Sequence, residues 1–115
     1  MMRVTKQNPV SLEDLRAMAP ARFGDLVKAV VDLRRDIMLV DADMHSDQEA
    51  ELLADGSVQR DLWGINLYPD SSVEKWIEFD SMINLRPSFG NRSRGVDDPA
   101  IREQIAALVN RLVRR

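Results

Sequence analysis

Apolar residues recur at helical spacing from Ile101 through Ile105, Leu108 and Val109 to Leu112, the clearest periodic stripe in the chain. Asp98 stands where an N-cap belongs and Pro99 at the first helical position, and Arg111, Arg114 and Arg115 suit the negative end of the dipole. This pattern predicts a long C-terminal amphipathic helix. Upstream the period changes to two. In the run Arg60–Pro69, Trp63, Ile65 and Leu67 alternate with Gly64 and Asn66, which predicts a strand closed by Pro69. After a Pro-Asp-Ser-Ser turn, Trp76, Glu78, Asp80 and Met82 alternate with Ile77, Phe79, Ser81 and Ile83. That spacing predicts a long antiparallel neighbour across 73–87.

Residues 26–44 fit two periods. Asp25, Lys28, Asp32, Arg35 and Asp36 line one face of a helix, whereas Val27, Ala29, Val31 and Leu33 alternate as in a strand. The β-branched density of VKAVV and IMLV favours a hairpin turning at Arg34–Asp36, with a helix as the alternative. Ser11 and Asp14 bracket the start of a short helix carrying Leu12, Leu15 and Met18, which Pro20 stops. Ser46 and Glu49 suggest a second capping box, opening a helix over about 47–54 that ends before Gly56. The competing reading makes Asp55-Gly56 a hairpin turn. The first ten residues show no period and read as a loosely ordered arm tethered by Val4 and Val10. Together these elements describe one α+β domain over 1–115. It has an antiparallel sheet of about four strands, helices against one face, and a second face open to solvent.

Composition narrows the chemistry. A chain of 115 residues, 44% hydrophobic and 30% charged, can bury one core without staples. The absence of cysteine removes disulfides, thiolate nucleophiles and thiolate metal sites. No signal-like apolar run opens the sequence and none is long enough to span a bilayer, so a cytoplasmic protein without membrane contact is expected. The net charge of −3 is unevenly placed: residues 86–115 hold 7 Lys/Arg and 3 Asp/Glu, against 9 and 16 in residues 1–85. An acidic body argues against DNA, while the basic segment suits a local patch, the acidic half of the chain, or a neighbouring subunit in a homodimer.

Several short words recur in order along the chain. They are His45, Asp47 and Glu49, then LL.DGS at 52–57, DLWG.N.YP at 61–69, IN.RP at 83–87, GNRS at 90–93 and DP.I at 98–101. In this combination the chain resembles, over roughly residues 26–112, a family of small uncharacterised bacterial proteins known only as a domain of unknown function. Members tend to carry a Gly-Gly pair before an acidic residue where this chain reads Asp41-Ala42-Asp43. The resemblance implies no activity, cofactor or catalytic residue.

Two stretches have the residue types for chemistry. If Asp41–Glu49 were extended throughout, Asp41, Asp43, His45, Asp47 and Glu49 would share one face. Its narrower form, Asp43, His45 and Asp47, is a candidate catalytic or hard-metal group. The cap at Ser46 predicts that the strand ends there and scatters the row, leaving Asp47 and Glu49 as dipole partners. The second stretch is the loop after Leu85. Arg86, Arg92 and Arg94 offer forked donors, Gly90 and Gly95 allow close backbone approach, and Asn91 and Ser93 can brace a turn around an anion. Phe89 is placed to stack. Asp97, Asp98 and Pro99 already occupy the end of the following helix, which weighs against a phosphate there. Three functions stay in play. The leading one is a non-catalytic binding module using residues 86–95, without a cofactor, for an acidic protein or a phosphate-bearing ligand. The others are a small metal-assisted enzyme at His45 and a nucleotide- or RNA-binding module.

Overall fold

The structure, a computed structural model, describes residues 1–115. The ambiguous stretch folds as a hairpin of β3 (Val27–Asp32) and β4 (Ile37–Val40). The Asp32 carboxylate makes the turn by accepting the Arg34 and Arg35 N–H groups at 3.0 and 3.1 Å, and Asp36 takes a left-handed φ of 55°. β5 (Leu62–Leu67) pairs along the other side of β3, with Val31 opposite Trp63 and Lys28 opposite Asn66.

The sheet has five strands rather than about four, in the order β1 (Met2–Val4), β4, β3, β5, β6 (Ile77–Glu78), and every pairing is antiparallel. The additional strand is β1 (Met2–Val4), which lies along β4 and so places part of the aperiodic N-terminal stretch in the sheet. Val4 and Val10 are fully buried, and β2 (Val10–Ser11) forms a parallel pair with β7 (Val113–Arg114).

Helices cover both faces of the sheet, a correction to the expectation of one open face. Val27, Ala29, Val31, Met38, Val40, Trp63, Ile65 and Leu67 face α1 (Leu12–Met18) and α3 (Pro99–Leu112) in the larger apolar cluster. Val30, Leu39, Ile37 and Leu62 point the other way and meet Leu52 of α2 (His45–Ala54). The cause is legible in the strands: Ala29-Val30-Val31 and the whole of β4 are buried on both sides, as strands covered twice must be. Removing the fully buried Leu52 side chain with Leu52→Ala would cost ~2–5 kcal/mol through lost burial and the cavity left behind.

Two further boundaries differ from the sequence reading. α2 starts at His45 with Met44 at its N-cap and no side-chain cap, so Ser46 is the second helical residue rather than the cap. Its other end follows expectation: Gly56 takes φ 102° and the Ser57 N–H returns to the Leu52 carbonyl at 2.9 Å, so no Asp-Gly hairpin forms. The long strand over 73–87 contracts to β6 (Ile77–Glu78). Its alternation breaks because Ser81 turns its hydroxyl onto the Ile83 N–H and starts a short helical turn, Met82–Asn84. A second turn, Pro87–Phe89, follows and ends on Gly90 at φ 88°. The segment after β6 therefore lies beside and over β5 instead of extending the sheet. No helix is long and apolar enough to cross a membrane.

Candidate functional site

The loop between β6 and α3 is organised from within. Asn91, almost fully buried, donates from its amide nitrogen to the carbonyls of Asn84, Ser93 and Gly95 at 2.7–3.0 Å, and its oxygen accepts the Asp97 N–H at 2.8 Å. Asp97 then fills the nest that an external anion would occupy: its carboxylate accepts the Arg92 N–H at 2.6 Å and the Ser93 hydroxyl at 2.5 Å. Those two donors hold the Asp97 carboxyl below the usual range, the Ser93 hydroxyl contributing most.

The three arginines of the loop have three different fates. Arg86 is 7% exposed, donates to the carbonyls of Gln59 and Leu62, and lies over the Trp63 ring with its guanidinium carbon 4.4 Å from the centroid. Burial lowers its pKa, opposed by the charge of Glu49. Its Nε and the Glu49 Oε2 are both buried without a hydrogen-bond partner in the chain. Arg92 extends into solvent and forms no ion pair. Arg94 turns back over the sheet, where its Nε donates to Asp80 at 2.8 Å.

That turn brings Arg94 to a cleft with His45. The cleft has a volume of about 220 Å3 and lies between the start of α2, the centre of the sheet and residues 80–83. Its floor is polar and buried. His45, 7% exposed, donates from Nε2 to the Ile65 carbonyl at 2.7 Å, which leaves Nδ1 as an acceptor with no partner in the chain. Burial pushes the imidazole down to about 4; the Ile65 hydrogen bond and Asp80 oppose this, and the charges of Lys28 and Arg94 add to it. Asn66, 5% exposed, donates to Glu78 at 2.8 Å and to the Asp80 carbonyl, while its Oδ1 is buried and unpartnered.

Gly64 makes this arrangement possible. A Cβ at that position would fall 2.6 Å from Ser81 and 3.2 Å from His45. The bare backbone therefore lets both side chains settle on the sheet. The rim of the cleft carries Lys28, Arg94, Ser46 and the exposed methionines Met44 and Met82. Lys28 has no carboxylate partner and lies 5.0 Å from the Phe23 ring centroid. Asp43 also lines the cleft, its carboxylate held by Arg22 at 2.7 Å.

A second, wider cleft of about 540 Å3 opens on the other side of the loop. Arg86, Trp63, Phe89 and Ile101 line it with Arg60 and three aspartates, Asp61, Asp97 and Asp98. Phe89 is 62% exposed on its turn.

A family model described as "Protein of unknown function (DUF5674)" matches residues 4–112. The chain belongs to DUF5674. No curated protein and no solved structure matches it.

The DUF5674 fold thus brings together some of the residues singled out by sequence and separates others. Asp43, His45 and Arg94 share the smaller cleft, whereas Asp47 is exposed on the first turn of α2 and does not line it. No three His, Asp or Glu side chains converge as a metal-holding group. The row breaks because the helix begins at His45, where a period of two gives way to 3.6. Asn91 and Ser93 spend their polar groups on the loop itself, Arg86 spends its terminal nitrogens on the Gln59 and Leu62 carbonyls before and at the start of β5, and Phe89 and Arg92 stand outside the smaller cleft. Sequence reasoning missed Lys28, Asn66, Asp80 and Ser81. A signal existed for the first two, since Lys28 and Asn66 are the polar positions inside otherwise apolar strands and sit opposite each other in register.

Proposed function

We propose that the protein is a non-catalytic binding module that takes a small polar ligand in the cleft between the start of α2 and the loop that carries Arg94. The observation that carries this reading is the pair of acceptors on the floor, His45 Nδ1 and Asn66 Oδ1, neither of which has a donor within the chain. Asn66 Oδ1 is buried; a buried acceptor left without a donor costs about 1–3 kcal/mol, and a bound molecule that donates there removes the deficit. Binding is favoured over general-base catalysis by the same imidazole. With its pKa pushed down to about 4 by burial, His45 is neutral near pH 7 but too weakly basic to draw a proton efficiently. The metal-assisted reading finds no support in the positions of Asp43, His45 and Asp47.

The test is a titration of the 15N-labelled chain with amino acids, hydroxy acids, sugars and nucleobases. Ligand-induced amide shifts clustered at Lys28, His45, Asn66, Ser81 and Arg94 are expected. Shifts confined to the wider cleft at Phe89, or none from any compound, would overturn the reading.

A further inference from the structure

The distribution of donors and acceptors in the smaller cleft specifies more than polarity. Its floor holds two acceptors without a donor in the chain, Asn66 Oδ1 and the free nitrogen of His45, beside the Ser81 hydroxyl, which accepts the Ile83 N–H. Its rim presents donors and positive charge. Lys28 has no carboxylate partner, and the terminal nitrogens of Arg94, whose side chain is 55% exposed, make no hydrogen bond within the chain. α2 adds to the same rim: it lacks a side-chain cap, and the N–H groups of His45 and Ser46 have no acceptor. The carboxylates that line the cleft are already engaged, Asp80 with Arg94 at 2.8 Å and Asp43 with Arg22 at 2.7 Å. Lys28 is therefore the uncompensated charge of the cleft.

Building on the binding reading above, we propose that the ligand is a small organic acid with a hydroxyl or amino group next to its carboxylate. Its donor group meets Asn66 and His45 on the floor, and its anionic end meets Lys28, Arg94 and the open start of α2. A bare anion satisfies the rim and can accept the Ser81 O–H, but it leaves Asn66 Oδ1 and the His45 nitrogen without a donor. A neutral alcohol or amine satisfies the floor and leaves Lys28 without a counter-charge. Only a molecule with both functions close together answers both ends of so short a cleft. Its volume of about 220 Å3 is below the roughly 300–1,000 Å3 typical of drug-sized pockets, which suits a molecule of a few heavy atoms.

The experiment titrates the full chain with glycolate, glycine, acetate, inorganic phosphate and ethylene glycol. Affinities are read from amide shifts of His45 and Ser46 and from the Asn66 side-chain amide. Glycolate or glycine should bind at least about tenfold more tightly than acetate, phosphate or ethylene glycol, a margin equal to roughly one good hydrogen bond. Lys28→Met should weaken the preferred probe about tenfold by removing the free charge, and Asn66→Leu should abolish its preference over acetate. Acetate or phosphate binding as tightly as glycolate and glycine would overturn the ligand class while leaving the cleft a binding site. Silence from all five probes while sugars or nucleobases shift the same amides would also overturn the class and keep the site. Silence from every compound at these residues removes the site itself.

Discussion

Asn84 pairs with Gly64 as a strand residue would: its Oδ1 accepts the Gly64 N–H at 2.8 Å and its Nδ2 donates to the Gly64 carbonyl at 2.9 Å. A single amide side chain thus completes the outer edge of β5 where β6 has already ended. The same Nδ2 reaches the Arg94 carbonyl at 3.0 Å, and the Ser81 N–H meets that carbonyl at 2.9 Å. Asn84→Ala would leave the Gly64 N–H and carbonyl buried without these partners. It should cost about 2–4 kcal/mol in urea denaturation, the loss expected for more than one unsatisfied buried group. It should also loosen Arg94, read as faster amide exchange across residues 91–95. A loss below about 0.5 kcal/mol, the range of ordinary surface substitutions, would contradict this role.

His45 makes stability depend on pH in a defined window. Folded, it titrates at about 4; unfolded, at the ordinary 6.5. Between those values the unfolded chain binds the extra proton, so stability is complete above about 6.5 and falls as pH drops toward 4, by about 3 kcal/mol in total. His45→Gln should flatten the stability profile across this window and leave the loss below pH 4, where carboxylates titrate, unchanged.

Arg86 and Arg92 are six positions apart and should respond oppositely. Arg86→Lys loses the fork that reaches the Gln59 and Leu62 carbonyls together and the stacking on Trp63, and is expected to cost about 2–4 kcal/mol. Arg92→Glu changes an exposed, unpaired side chain and should stay within about 1 kcal/mol of the parent. Thermal and urea unfolding of the two variants check both.

Asp41 holds φ at 69°, in the left-handed region, at the bend where β4 leaves the sheet. An aspartate carries the bend, and its carboxylate accepts Arg22 Nε at 2.8 Å. Asp41→Ala and Asp41→Gly both remove that ion pair, so their difference isolates the backbone. The glycine variant should be the more stable by about 1 kcal/mol, the cost of a Cβ in this region.

What the sequence revealed follows the physics of each signal. The start of α3 was legible because Asp98 and Pro99 act locally; the Asp98 side chain does accept the Ala100 N–H at 2.9 Å. The hairpin at 26–44 was legible through its β-branched residues, although two periods competed. The stretch 73–87 misled because its alternation continues past the point where Ser81 and Asn84 replace strand pairing with side-chain bonds. Ser46 misled because a capping box is a four-residue word, while α2 is positioned by Gln48 and Leu52, both fully buried. Gln48 donates to the Lys28 carbonyl at 2.9 Å, a contact 20 positions away. The cleft was half visible. His45, Asp43 and Arg94 stood out as chemically capable residue types, but Lys28 and Asn66 acquire meaning only once register sets them opposite each other and Gly64 leaves room above the sheet.

The strand order has a consequence for crowded conditions. The outermost positions belong to β1 and β6, of three and two residues, and the three-residue strand carries Arg3 at its middle. A Val- and Ile-rich sheet is a template for lateral growth when a long strand lies bare at its margin. Here an incoming chain finds only a few backbone groups and a charge, so the fold itself opposes fibre formation.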